Sequence, residues 1–124
     1  MLLQGEGERK LVLARLHYSA LRPFEMTVTF RLAGKAPVTW VFARDLLLDG
    51  RRYFAGQGDV RIWPMRQYTG DRVYLSLASD VGECLLSASV HEVDAWCGRM
   101  AALVPRGAEH LHFDLDREIR LLLQ

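Results

Sequence analysis

Apolar and polar residues alternate through most of the first ninety or so positions, and the pattern predicts short strands. Residues 10–18 place Leu11, Leu13 and Arg15 on one face and Val12, Ala14 and Leu16 on the other. Both faces are largely apolar, so this strand is expected to be covered on both sides. Leu21-Arg22-Pro23 reads as a connection, since proline punctuates strands. Residues 25–32 are the cleanest strand, with Met26, Val28, Phe30 and Leu32 facing one way and Thr27, Thr29 and Arg31 the other. Gly34-Lys35-Ala36-Pro37 predicts a hairpin-type turn, after which Val38, Trp40 and Phe42 continue the buried face. Residues 44–49 read as one or two helical turns ended by Gly50. A fourth strand covers 59–63 with Val60 and Ile62 inward, and Pro64 either ends it or marks an edge. A loop around Gly70, a fifth strand through Val73, Leu75 and Leu77, a turn at Asp80-Val81-Gly82 and a sixth strand over 83–87 follow.

The period then changes to that of a helix. Ser89-Val90-His91-Glu92 has the form of a capping box. Val90, Val93, Cys97, Met100 and Val104 recur at helical spacing, flanked by Trp96 and Leu103. Pro105-Arg106-Gly107 stops this helix, and a last one is expected from about residue 114, with Leu115, Ile119 and Leu122 on one face. The order implies an α+β fold of two antiparallel βββα units with an extra C-terminal helix. The units echo each other in plan and not in sequence.

A chain of 124 residues fits one domain, expected to span 1–124. It can bury a core without disulfides or metal. The formal net charge is +1, so no global field would collect polyanions, and nucleic acid would need a local basic patch. Cys84 and Cys97 match neither a disulfide framework nor a zinc pattern and read as buried thiols of a cytoplasmic protein. Residues 1–8 lack the charge and apolar run of a secretory signal. No apolar run approaches the ~20 residues of a membrane span, so a membrane role would be indirect.

Motifs for catalysis are absent: there is no Gly-x-Ser-x-Gly elbow, P-loop or His-Glu-x-x-His. His110 and His112, with Glu109 and Asp114 nearby, are the best metal candidates, but a closed site needs about four ligands and a solvated loop accounts for them better. His17 and His91 are isolated. Gly56-Gln57-Gly58-Asp59 precedes a strand instead of opening a helix, which favours a turn over a phosphate loop. Asp114 and Asp116 suit a helix N-terminus, and Asp45 and Asp49 flank a short exposed helix. Arg51, Arg52, Arg61 and Arg66 are interleaved with Tyr53, Phe54, Trp63 and Tyr68. Such a mixture can track a single strand of nucleic acid, but an ordinary sheet surface or a protein interface is the favoured reading.

Three blocks carry a resemblance: TWVFARDLLLDG at 39–50, GQGDVRIWP at 56–64 and VPRGAEHLHFDLDRE at 104–118. In order and spacing they resemble the SsgA-like sporulation and cell division proteins of morphologically complex actinomycetes, and the last two look closer to the SsgB branch. The family's N-terminal Tyr and Pro are matched by Tyr18 and Pro23, whereas its two acidic positions there are lost. The resemblance implies a non-enzymatic division factor with a Whirly-like fold and no cofactor or catalytic residues to carry over. It implies a cytoplasmic protein at the division septum that recruits the tubulin-like GTPase FtsZ, promotes its assembly and works with SsgA-type paralogues. A homo-oligomer is implied, a trimer first. Exposed members of Arg44, Asp45, Asp49 and Arg61 are the expected partner-binding residues, supported from the core by Trp40 and Phe42. The alternative is a Whirly-like single-stranded nucleic acid binder, which the near-neutral charge disfavours. Small-ligand binding in an apolar pocket is a third possibility.

Overall fold

Antiparallel pairing organises the chain. A computed structural model describes residues 2–5, 11–32, 34–80, 82–112 and 122. It runs β1 (Leu2–Gly5), β2 (Leu11–His17), β3 (Glu25–Phe30), β4 (Val38–Ala43), α1 (Arg44–Gly50), β5 (Val60–Met65), β6 (Arg72–Ser79), β7 (Gly82–Ser89) and α2 (Val90–Leu103), then a 3-10 turn at Glu109–Leu111. The fold is α+β, as expected, with a three-strand antiparallel unit before each helix. The strand order is β4-β3-β2-β1-β7-β6-β5, and every recorded pair is antiparallel.

The strand that joins the two units is β1, which sequence reading did not anticipate. It pairs with β2 through Leu3 and Val12 and with β7 through Gln4 and Ser87. Four residues are too short a stretch for alternation to be read. The final helix expected from about residue 114 falls outside the described residues.

Register explains the core. Ala14 lies opposite Phe30, Leu16 opposite Val28, and Val28 opposite Trp40, so one face of β2–β4 is continuous and apolar. Across from it, Val60, Ile62, Leu77, Leu86 and Ala88 belong to the same buried cluster, together with Val93, Cys97 and Met100 of α2. The outer face of β2 is open: Leu13 is 73 % exposed, which corrects the expectation of cover on both sides. At the rim of the sheet, Phe42 is buried, Trp40 packs against the cluster and Val38 is exposed. The Ser89 side chain accepts from the Glu92 amide, which makes it the N-cap of α2.

Gly50 does not end α1 as a left-handed cap. It is the last helical residue, and Arg51 beyond it is right-handed. Its role is space: a Cβ there would lie inside van der Waals contact of Ile62 Cβ and Cγ2. The glycine lets α1 sit directly on β5, over an Ile62 side chain with no exposed surface. Burial of such a side chain contributes about 1.5–3 kcal/mol.

Candidate partner-binding surface

Arg44 begins α1, and its backbone N–H donates to Phe24 O at 2.9 Å. Its side chain turns inward and is 1 % exposed. Nη2 and Nε donate to Glu109 Oε1 at 2.6 and 3.2 Å, and Nη1 donates to Val104 O at 2.8 Å. Its guanidinium carbon lies 5.3 Å from the Tyr18 ring centroid, within cation–π range. Tyr18 donates its hydroxyl to Pro23 O at 2.8 Å. Glu109 Oε2 accepts from the Gly107 amide at 2.8 Å. This centre joins the TWVFARDLL block to the VPRGAE block and to the two N-terminal positions, Tyr18 and Pro23. Arg44 therefore braces the fold, and its expected exposure is corrected. The cause is a charged partner 65 positions away that sequence spacing could not pair with it.

The same geometry sets the ionisation of the centre. The Arg44 guanidinium, foremost by hydrogen bonding, holds the Glu109 carboxyl below its ordinary range. Burial, foremost, pushes the Tyr18 hydroxyl up. The Glu109 carboxylate is committed to these bonds, and among the described residues no three His, Cys, Asp or Glu side chains gather as metal ligands. Burial raises the Cys97 thiol to about 11, so it is not a thiolate at neutral pH.

The other three expected residues lie on or towards the surface. Asp45 and Asp49 both reach Arg106, at 3.3 and 2.7 Å. Asp45 and Arg106 are exposed and Asp49 is partly covered. The Arg106 hydrogen bond holds the Asp49 carboxyl low, and Asp49 in turn pushes the Tyr53 hydroxyl up. Arg106 was not anticipated, because it lies in the loop that stops α2. Arg51 is drawn away from this surface, bonding Asp94 at 3.0 Å and so tying α1 to α2.

Arg61 is exposed on β5, opposite Ser76. Two residues on, Trp63 shares that face and lies opposite Tyr74. Phe54 stacks on Trp63 with centroids 5.6 Å apart, and Trp63 stacks on Tyr74 at 5.9 Å. Gln67 fixes the Tyr74 hydroxyl at 2.6 Å. Phe54, Tyr53, Met65 and Tyr68 are all exposed. A stacked aromatic ladder with Arg61 on the same face has the composition of a protein-binding surface: aromatic and arginine anchors with a polar surround. Tyr74 completes the ladder, and only the β5–β6 register reveals it.

The fold is that of a small α+β domain with an aromatic and charged surface. Residues 12–109 match the family described as Streptomyces sporulation and cell division protein, SsgA, and the chain belongs to that family. Its relatives place it with the SsgB-type members. It is 42 % identical over 110 residues to the sporulation-specific cell division protein SsgB of Streptomyces coelicolor, covering 89 % of this chain and 80 % of that one. It is 41 % identical over 112 residues to SsgB of Frankia casuarinae, covering 90 % and 78 %. A solved structure from work on SsgB mutations that correlate to longitudinal cell division during sporulation of Streptomyces coelicolor superposes with a TM-score of 0.84 at 37 % identity, covering 90 % and 91 %. The crystal structure of an SsgA-like sporulation-specific cell division protein from Thermobifida fusca gives 0.83 at 35 % identity, covering 96 % and 89 %. The chain is thus a sporulation cell division protein. No described helix is long and apolar enough to cross a membrane.

Proposed function

We propose that this protein is a non-enzymatic factor in sporulation-specific septation, formed by one SsgA-like domain over 1–124. It recruits FtsZ to septum sites in the cytoplasm, promotes its assembly and acts with SsgA-type partners. The observation that carries this reading is the preorganised Phe54–Trp63–Tyr74 ladder beside Arg61, on the last strand of the sheet, whose outer edge is bridged by Ala55. Asp45, Asp49 and Arg106 form a separate charged cluster on α1 and the loop after α2 that offers a further contact. Arg44 contributes by holding α1 in place. A homo-oligomer, a trimer first, would present several copies of this surface, and linked weak contacts raise avidity without a tight individual site. Sedimentation of FtsZ polymers with and without the protein tests the reading. Co-pelleting with a gain in polymer mass is expected; its absence with a folded protein would defeat it.

The same ladder gives a second reading some support. In a Whirly-like arrangement, stacked aromatics beside arginine could hold the bases of a single strand. The net charge of +1 weighs against it. A gel-shift titration at low and moderate salt separates the two, since tight, salt-sensitive retention of single strands would favour this alternative.

A further inference from the structure

A groove of about 660 Å³ opens between α2 and the β2–β3 hairpin, and it shares no residue with the aromatic ladder. Its accessible apolar part comes from Leu13, Leu16 and Trp96, with the buried Phe30 beneath. Trp96 was expected to flank the buried stripe of α2, and the structure places it half-exposed between that stripe and the groove. The rim carries Arg15 of β2, Arg31 just beyond β3 and Arg99 of α2, all exposed. One acid, Glu92, stands against these three cations.

Four other arginines among the described residues are paired with carboxylates, Arg22 with Glu25, Arg44 with Glu109, Arg51 with Asp94, and Arg106 with Asp45 and Asp49, whereas the groove gathers three that are not. Among the described residues no carboxylate pairs with Arg15, Arg31 or Arg99. The bond recorded for Arg31 is from Nε to the Lys35 carbonyl at 2.9 Å, which orders the side chain without cancelling its charge. The groove therefore combines an apolar floor with a rim of three cations and one acid in a protein of nearly zero net charge.

We infer that this groove docks a short acidic amphipathic segment of a partner protein, its apolar side chains against Trp96 and Leu13 and its carboxylates on Arg15, Arg31 and Arg99. Charge complementarity selects this occupant: an apolar peptide would leave three cations half-desolvated, and a basic one would be repelled. The recognition mode is an amphipathic segment in a groove. It is a second surface, independent of whether FtsZ is the partner of the first.

The test uses a capped synthetic peptide in which leucine and phenylalanine recur at helical spacing among glutamates, with a lysine-for-glutamate version as control. Backbone amide shifts are followed by NMR on the full chain. The acidic peptide is expected to move Arg15, Thr29, Ala95 and Arg99 amides and the Trp96 indole, and the basic one to leave them in place. R15E/R99E, at two exposed positions, should weaken the acidic peptide by about tenfold or more and allow the basic peptide to bind. Equal binding of both peptides, or shifts confined to other surfaces, would overturn the proposal. So would displacement of the peptide by laurate at equal concentration, which would make the groove a fatty-acid site. Self-association abolished by R15E/R99E in the absence of peptide would make it an interface between copies and overturn the proposal too.

Discussion

Arg44 and Glu109 lie 65 positions apart and meet at 2.6 Å, with almost no exposed surface on either. A buried pair of this kind resists removal of one partner more than removal of both, since a lone buried charge has no compensation. Arg44→Ala or Glu109→Ala is expected to cost about 3–5 kcal/mol in urea unfolding. Arg44→Lys should not restore it, because one ammonium cannot hold Glu109 and Val104 with a planar fork. The double variant R44M/E109L should be more stable than either alanine variant, and a double-mutant cycle measures the coupling.

Acid stability follows from the same pair. The Glu109 carboxyl is held below its ordinary 4.5, so its contribution is fully present above that value and is lost as pH falls through its folded value. The wild type should lose stability below pH 4.5 on this account, and E109Q should show a shallower dependence there. Asp49, held below 3.8 foremost by its Arg106 hydrogen bond, adds a smaller loss at lower pH, damped by solvent. Unfolding free energies between pH 3 and 7 check both.

Gly50→Ala sets two effects against each other. Alanine favours a helix by up to about 1 kcal/mol, but here its methyl would collide with the branched carbon of Ile62. Overpacking in a site this closed costs about 1–3 kcal/mol, so net destabilisation is expected. I62A removes the Cγ2 methyl but keeps the equally close Cβ, so it should relieve only part of the clash on the G50A background. Thermal melts of the four proteins decide it.

The aromatic ladder can be separated from the fold by position. Phe54 is 59 % exposed, so Phe54→Ala should lower the melting temperature little. If the ladder binds FtsZ, F54A should weaken co-sedimentation by about tenfold, in keeping with an aromatic anchor. Arg61→Glu should weaken it as well and make the residual binding less sensitive to salt.

Thiol reactivity offers a check on the core. Cys97 is buried and raised to about 11, so it should resist alkylation at pH 7 in the folded protein and react at the rate of global unfolding. Cys84, half-buried and raised by burial, should react sooner. Mass spectrometry of a time course with iodoacetamide gives the two rates.

The order of elements was legible in the sequence because each is written in a local period. Alternation gave six of the described strands, Ser89 and Glu92 gave the start of α2, and the three blocks gave the family. The sequence also showed Arg51, Arg52, Arg61 and Arg66 interleaved with Tyr53, Phe54, Trp63 and Tyr68. What spacing could not reveal depends on partners distant in the chain. The burial of Arg44 came from Glu109 and Val104, and the openness of Leu13 from β2 having no described element packed on that face. The use of Gly50 as a gap came from Ile62, and the third rung of the ladder from the β5–β6 register. Local period fixes which side a residue faces; only the packed chain decides whether that side meets a core, a counter-charge or water.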